Sequence, residues 1–147
     1  MTHVERLAEL RERLAVVHDL KRAAWLLNWD KDTMMPPDGT PARGDQLSTI
    51  DRFAHELFTS DELGELLDSL REYETELEPE SVDAALIRVT RRDWEKARKV
   101  PAELRGEITR AEVVGVHAWA EARKNADYKA FLPPLKRNVE LKLRYIE

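Results

Sequence analysis

The sequence of 147 residues contains no cysteine. A chain without thiols has no disulfide framework, no cysteine nucleophile and no cysteine-based zinc site. This absence fits a reducing compartment, where disulfides are rare.

Glycine and proline are scarce, with five and seven residues, and no segment alternates apolar and polar residues as a half-buried strand does. Apolar residues recur instead every three or four positions, which is the period of a helix with one buried face. The 42% hydrophobic residues exclude a disordered chain, and the 36% charged residues suit helical surfaces with many ion pairs. We therefore expect an all-α fold, an antiparallel bundle of about five to six helices in a single domain over residues 1–147.

The sequence also lacks any apolar run long enough to cross a bilayer. Met1 leads directly into a charged amphipathic segment, where a secreted protein has an apolar signal region. We therefore expect a cytoplasmic protein with no membrane partner. The net charge of −5 argues against a general nucleic-acid binder.

Hydrophobic period, caps and prolines divide the chain into helices. The predicted helices are Val4–Met34, a helix from Pro41 to about Phe58, a short helix after Ser60, Ser81–Lys99, a helix from Pro101 that fades near Asn125, and a last helix from Pro133 onwards. Thr40 and Ser60 are predicted N-caps, and Ser81 or Pro79 opens the following helix.

Two segments between these helices are predicted to be irregular. The acidic segment Glu72–Glu80 has the composition of a solvated loop, and Tyr128–Phe131 is predicted to be a turn because Pro133 and Pro134 disfavour a helix interior. Val139–Glu147 keeps helical spacing with no closing glycine, asparagine or proline, which predicts a chain interrupted inside this element.

The end of the first helix is apolar on several sides, and such segments are usually buried from more than one direction. Core packing is therefore the first expectation for Trp25 and Trp29, as it is for Trp94 and Trp119. The alternative is that Trp25, Trp29 and Asp30 line a groove or an interface, and these three are the candidate site residues.

The same segment has a consequence for association. Leu26, Leu27 and Trp29 need more cover than a short bundle offers. We therefore expect the isolated chain to self-associate and hide them.

Two histidine–carboxylate pairs raise the question of a metal site. His55-Glu56 begins like the His-Glu-x-x-His motif of zinc peptidases, but Thr59 occupies the place of the second histidine. His117 and Glu121 share a helix face, although a zinc site needs at least three protein ligands. Ordinary polar pairs are the better interpretation of both.

One concentration of basic residues lies in the predicted fourth helix: Arg88, Arg91, Arg92, Lys96, Arg98 and Lys99. A solvated helix face paired to acids such as Asp93 and Glu95 is the first interpretation. A contact surface for another domain or subunit is the second, and nucleic-acid binding ranks last.

Three blocks of this sequence resemble the carboxypeptidase Taq family of thermostable zinc metallocarboxypeptidases. They are Leu26–Pro37, Arg43–Leu67, and Val100–Leu104 followed by Trp119–Leu135. Each block is weak alone, and their order and spacing make the resemblance specific.

The resemblance implies an all-α, often homodimeric peptidase in which zinc is held by the two histidines of a His-Glu-x-x-His motif and a later glutamate. The motif glutamate activates the metal-bound water that hydrolyses the last peptide bond. None of these residues has a match in this sequence. No catalytic, metal-binding or carboxylate-binding residue is carried over, no cofactor is expected in this chain, and zinc is expected in the full-length family.

The resemblance thus implies the N-terminal helical segment of a larger metallocarboxypeptidase, which forms part of the wall or lid of the substrate groove and is inactive alone. Its implied partners are the remainder of the peptidase chain, a peptide substrate in the full-length enzyme, and a second copy in a homo-oligomer. The alternative is a stand-alone helical module for protein interaction or oligomerisation, without enzymatic activity.

Overall fold

The computed structural model describes residues 2–146, and it contains no strand among them. Its elements are α1 (His3–Thr33), a 3₁₀ turn (Pro37–Gly39), α2 (Thr40–Thr59), α3 (Asp61–Ser69), α4 (Arg71–Glu76), α5 (Val82–Ala97), α6 (Ala102–Lys124) and α7 (Tyr128–Ile146). The predicted all-α class is confirmed, with seven α-helices in the described part of the chain in place of five to six. No helix between residues 2 and 146 is long and apolar enough to cross a membrane. Met1 and Glu147 lie outside the described residues, so the predicted segment Val139–Glu147 is described only to Ile146.

Serine side chains begin two of the helices. The Ser60 hydroxyl accepts a hydrogen bond from the backbone N–H of Leu63 at 3.2 Å, and the Ser81 hydroxyl accepts one from Ala84 at 3.3 Å. The predicted Ser60 cap is confirmed, and of the two residues left open for the next helix, Ser81 and Pro79, it is Ser81 that caps it. At the first of them, hydrogen bonds from the Glu62 backbone N–H and from the Ser60 hydroxyl lower the pKa of the Glu62 carboxyl.

The prediction that Thr40 caps the second helix is wrong. Thr40 is the first residue of α2, and its buried hydroxyl donates to the carbonyl of Pro37 at 2.9 Å. The preceding 3₁₀ turn brings this carbonyl within reach of Thr40. The hydroxyl therefore closes the turn and does not accept from a helix N–H.

The acidic segment Glu72–Glu80, predicted to be a loop, overlaps α4, so that prediction is wrong over residues 72–76. The backbone of Leu70 remains in the right-handed helical region, and Glu74 donates its N–H to the Leu70 carbonyl at 2.9 Å. Acidic side chains in a first helical turn are favoured by the helix dipole, which explains why Glu72 and Glu74 are compatible with this helix.

The predicted turn at Tyr128–Phe131 is also wrong, because α7 begins at Tyr128 and includes both prolines. Asp127 caps the helix by accepting the N–H of Ala130 at 3.2 Å. Pro133 and Pro134 are the sixth and seventh residues of α7, so each costs one backbone hydrogen bond near the N-terminus. The packing of the rest of α7 outweighs that loss.

The chain forms two compact units, one of which comprises residues 2–19 and 54–100. Its core joins α1, α3 and α5 through buried aliphatic side chains: Leu7, Leu10, Leu63, Leu66, Leu67, Leu70 and Ile87. Trp94 packs against this core, and its indole N–H donates to the Ser60 carbonyl at 3.2 Å. The prediction of core packing is therefore confirmed for Trp94.

The other unit comprises residues 20–53 and 101–146. Ala24, Leu47 and Val113 bring α1, α2 and α6 together. Helices α2 and α6 approach closely where the Ser48 hydroxyl donates to the Gly106 carbonyl at 2.9 Å. A Cβ at Gly106 would lie 2.9 Å from the Ser48 hydroxyl oxygen, so a side chain there would force Ser48 to move.

Helices α6 and α7 form an antiparallel hairpin within this second unit. Asn138 on α7 donates to the carbonyl of Ala111 on α6 at 3.1 Å. Further along, the Arg144 guanidinium pairs with Glu107 at 3.0 Å, so higher numbers on α7 meet lower numbers on α6. The connection ends α6 with Ala126 at φ 53°, a conformation that favours glycine.

Candidate functional site

The candidate residues on α1 form an exposed apolar surface, which we call the indole patch: Trp25, Leu26 and Trp29. Their exposed fractions are 75%, 66% and 60%. Ala24 is buried, and the helical period places the three patch residues on the other side of α1. The expectation of core packing is therefore wrong for Trp25 and Trp29, because no element of their own unit, residues 20–53 and 101–146, covers that side of the helix.

The third candidate, Asp30, is held in an ion pair. Its Oδ2 lies 2.6 Å from Nη2 of Arg43 at the start of α2. The Arg43 guanidinium also donates to the Leu27 carbonyl at 2.5 Å and to Oε1 of Gln46 at 3.1 Å. Only 14% of the Arg43 side chain is exposed, against 38% for Asp30.

Arg43 thus fixes the last turns of α1 beside α2. A planar guanidinium donates in several directions at once, which a lysine ammonium does not reproduce in the same geometry. The Asp30 backbone carbonyl accepts from Met34 at 2.8 Å and from Met35 at 2.9 Å, where the helix ends before Pro36. The sequence block that carries the resemblance contains this helix end, but its pairing with Arg43 was missed.

The indole patch offers apolar binding area without acid–base chemistry. The Asp30 carboxylate is the acidic group nearest to it in sequence and already accepts the Arg43 donor. Two indoles beside a leucine suit apolar or aromatic side chains of a ligand or another protein. The arrangement therefore supports contact, and no step of catalysis.

A second apolar surface, missed in the sequence, lies between α6 and α7 in the same unit. It forms a groove of about 270 Å³ whose lining includes Val116, Trp119, Phe131 and Leu135. Trp119 is 45% exposed, so the expectation of core packing holds for only part of its side chain. The four-residue spacing that repeats from Phe131 to Leu143 was the available signal.

A zinc site at the histidine candidates would need at least three protein ligands around the metal ion. His55 Nε2 donates to the Val100 carbonyl at 2.6 Å, which is a structural contact within one unit. Within residues 2–146, no group of three histidine, cysteine or acidic side chains is arranged to hold a metal ion. The donor set required for zinc therefore does not fit the residues that the structure describes.

The basic residues of α5 are largely paired. Arg91 donates to the Leu67 carbonyl at 2.7 Å, and Arg92 pairs with Asp93 at 3.0 Å. The Arg98 guanidinium lies 4.4 Å from the centre of the Trp94 ring. The interpretation as a helix face paired to nearby acids is confirmed for Asp93.

Comparison with known proteins gives a consistent result. A model of the carboxypeptidase Taq (M32) metallopeptidase family matches residues 9–147. Thermostable carboxypeptidase 1 of Thermus thermophilus is 35% identical over 112 residues, which are 76% of this chain and 22% of that protein. Carboxypeptidase 1 of Bacillus subtilis is 27% identical over 142 residues, which are 94% of this chain and 27% of that protein.

Two solved structures have a similar fold. One, described as the BsuCP crystal structure, superposes with a TM-score of 0.88 at 24% identity and matches 97% of this chain and 28% of its own. The other, described as the structure of CHT, has a TM-score of 0.63 at 39% identity, over 94% of this chain and 27% of its own. The chain therefore spans about a quarter of the length of these relatives.

Proposed function

The chain belongs to the carboxypeptidase Taq (M32) family of metallopeptidases, and from that premise we propose that it is the N-terminal helical segment of a zinc-dependent carboxypeptidase. In this role it forms part of the wall or lid of a groove that binds a peptide by its C-terminal end. It has no peptidase activity alone.

One observation carries this proposal. The family match covers residues 9–147, almost the whole chain, while the chain corresponds to only 22% and 27% of two proteins named as carboxypeptidases. A segment that shares their fold without a metal-binding group among its described residues fits a supporting part of such an enzyme. The chemistry then belongs to residues outside this sequence.

Zinc, where such an enzyme binds it, activates a water molecule for hydrolysis of the peptide bond. The described residues of this chain lack a fitting set of ligands, so no step through the metal is assigned to them. Their proposed contribution is positional. Trp25 and Trp29 supply an apolar wall, and Asp30 is held at its edge by Arg43.

The proposal extends to location and assembly. We propose a cytoplasmic enzyme that is a homo-oligomer, with no nucleic-acid or membrane partner. In the isolated chain, where the rest of the groove is absent, the exposed indole patch favours self-association, because apolar area of this kind marks contact surfaces.

A chimeric enzyme tests the proposal. The segment of Bacillus subtilis carboxypeptidase 1 that matches this chain is replaced by the 147 residues, and release of the C-terminal amino acid from a peptide is measured. We expect a folded chimera with carboxypeptidase activity that a chelator abolishes and zinc restores.

Two controls accompany this experiment. The relative with its matched segment deleted is expected to be inactive, as is the isolated 147-residue chain. A folded chimera without activity, or stoichiometric zinc bound by the isolated chain with peptide hydrolysis, contradicts the proposal.

A second candidate function is a helical interaction module without enzymatic activity. The exposed indole patch favours it, because two tryptophans on one helix face suit a protein contact. A stable complex between the isolated chain and an unrelated protein, lost in the variant Trp25→Ser/Trp29→Ser, would support this function, provided that the chimera is inactive.

A further inference from the structure

The α6–α7 hairpin presents an apolar surface that the proposed role of the indole patch does not use. We define the α6–α7 face by its members, which all lie on one side of the hairpin: Val116, Trp119, Phe131, Leu135, Val139 and Leu143. The first four line the groove between the helices. Val139 and Leu143 continue it along α7, where they form a shallower depression with Asn138.

The spacing of this face suits a helical partner. Phe131, Leu135, Val139 and Leu143 follow one another at intervals of four residues and cover about 18 Å of α7. An amphipathic helix binds such a groove through apolar residues at the same intervals. Val116 and Trp119 on α6 supply the other wall.

Polar contacts hold the hairpin in shape without a partner. Asn138 donates to the Ala111 carbonyl at 3.1 Å, and Lys142 donates to Glu112 at 3.0 Å. Glu107 accepts from Arg137 at 2.6 Å and from Arg144 at 3.0 Å. Because these contacts exist within the chain itself, the α6–α7 face is formed before anything binds it.

The charge of α7 indicates which kind of helix fits. This helix contains five basic residues and one acidic residue in a chain of net charge −5. Arg137, Lys142 and Arg144 are paired with glutamates of α6. Lys129 and Lys136 have no such pair among the described residues, and they lie along the edge of the face remote from α6. A partner with acidic residues along that edge complements them.

We propose that the α6–α7 face binds an amphipathic helix with an acidic edge, from the part of the metallocarboxypeptidase outside this sequence. This inference rests on the proposed function. The similar solved structure supports the remainder of the enzyme as the source of this helix. It matches this chain at a TM-score of 0.88 over 28% of its own length, so 72% of its length is left to supply a partner helix. A second copy of this chain fits less well, because it would place an identical edge of lysines against Lys129 and Lys136. An anionic lipid surface also fits less well, because three of the five basic residues of α7 are already paired with glutamates of α6.

Matched valine variants of α6 test the proposal. Val116 belongs to the face and is 54% exposed, whereas Val114 is 41% exposed on the other side of the same helix. Val116→Asp and Val114→Asp are each made in the isolated chain and in the Bacillus subtilis chimera, and thermal unfolding is recorded. Lys136→Glu is also made in the isolated chain and in the chimera, and it tests whether the lysine edge of the α6–α7 face contacts acidic residues of the partner helix.

In the isolated chain, we expect Val116→Asp and Val114→Asp to change the melting temperature by similar, small amounts. In the chimera, we expect Val116→Asp to lower it by at least about 3 °C more than Val114→Asp, since only Val116 is covered there. Lys136→Glu is expected to lower it in the chimera alone.

Four outcomes overturn the proposal. The first is an active chimera in which Val116→Asp and Val114→Asp behave alike, which leaves the proposed function intact. The second is a chimera that does not fold. The third is an isolated dimer that Val116→Asp dissociates, and the fourth is binding to phosphatidylserine vesicles that Val116→Asp abolishes. A fifth result, which is not one of these four, separates the two proposals. A folded but inactive chimera that keeps the difference between the two valine variants supports binding at the α6–α7 face and contradicts the proposed function.

Discussion

Arg43 donates to Asp30 at 2.6 Å and thereby joins the end of α1 to the start of α2. The same guanidinium donates to the carbonyl of Leu27, which lies nearly two turns before α1 ends at Thr33. The segment of α1 that contains the indole patch is therefore held in position by Arg43 of α2.

Arg43→Met is expected to destabilise the chain by about 2–3 kcal/mol, because it removes hydrogen bonds to a charged group and leaves Asp30 and the Leu27 carbonyl without their donor. Arg43→Lys keeps the charge but loses the fork, and about 1 kcal/mol is expected. Urea unfolding followed by tryptophan fluorescence measures both. The exposed pair of Arg110 with Asp45 provides the control: Arg110→Met is expected to cost less than about 1 kcal/mol. Equal costs for Arg43→Met and Arg110→Met would contradict this assignment.

Ala126→Gly is expected to stabilise the chain by about 0.5–1 kcal/mol. Ala126 has φ 53°, and the N–H groups of Ala126 and Asp127 donate to the Arg123 and Ala122 carbonyls in a Schellman closure. Glycine adopts this backbone without the steric penalty of a Cβ. In thermal unfolding the opposite sign is expected for Ala120→Gly on the exposed side of α6, at about 1 kcal/mol. A loss of stability in Ala126→Gly would show that the φ assigned to Ala126 is wrong.

Gly64→Ala is expected to destabilise the chain by about 1–3 kcal/mol, despite the better helix propensity of alanine. A Cβ at Gly64 would lie 2.4 Å from Cζ2 of Trp94, so the indole would have to move out of its contact with α3. In α2, a Cβ at Gly44 meets nothing nearer than 3.6 Å, so Gly44→Ala is the matched control and is expected to be neutral or stabilising. Trp94→Phe in the Gly64→Ala background is expected to restore part of the loss. Chemical unfolding of these three variants and of the unmodified chain measures the effects, and a neutral Gly64→Ala would rule out the close contact.

Trp25→Ser/Trp29→Ser is expected to abolish self-association of the isolated chain, because the two indoles form most of the exposed apolar area of the indole patch. Sedimentation velocity over a range of concentrations measures it. Val89→Ser, an exposed apolar position on α5, is the control and is expected to leave association unchanged. If the unmodified chain stays monomeric at every concentration, the prediction is wrong.

Local signals in the sequence predicted local structure well. Ser60 and Ser81 each precede an acid-containing first turn; Ser60 caps its helix as predicted, and Ser81 was one of the two residues predicted to open the next one. The prediction from the two prolines failed, because tertiary structure and not local sequence determines the conformation of this segment. Pro133 and Pro134 disfavour a helix interior, but the Asp127 cap at the start of α7 and the burial of Leu141 further along it favour a helix through them.

The candidate site was predictable only in part. Trp25 and Trp29 are apolar and at helical spacing, which is equally typical of a core and of a contact surface. The sequence does not state whether another element covers them, and burial depends on tertiary structure. The pairing of Asp30 with Arg43 spans 13 residues and a proline turn, so no local pattern indicated it.

The activity of the chimeric carboxypeptidase tests the central claim most directly. The account predicts a kcat/KM within about 100-fold of the intact Bacillus subtilis enzyme, since a misplaced groove wall of about 1 Å costs that much. A correctly folded chimera that releases no C-terminal amino acid, with or without added zinc, would contradict it.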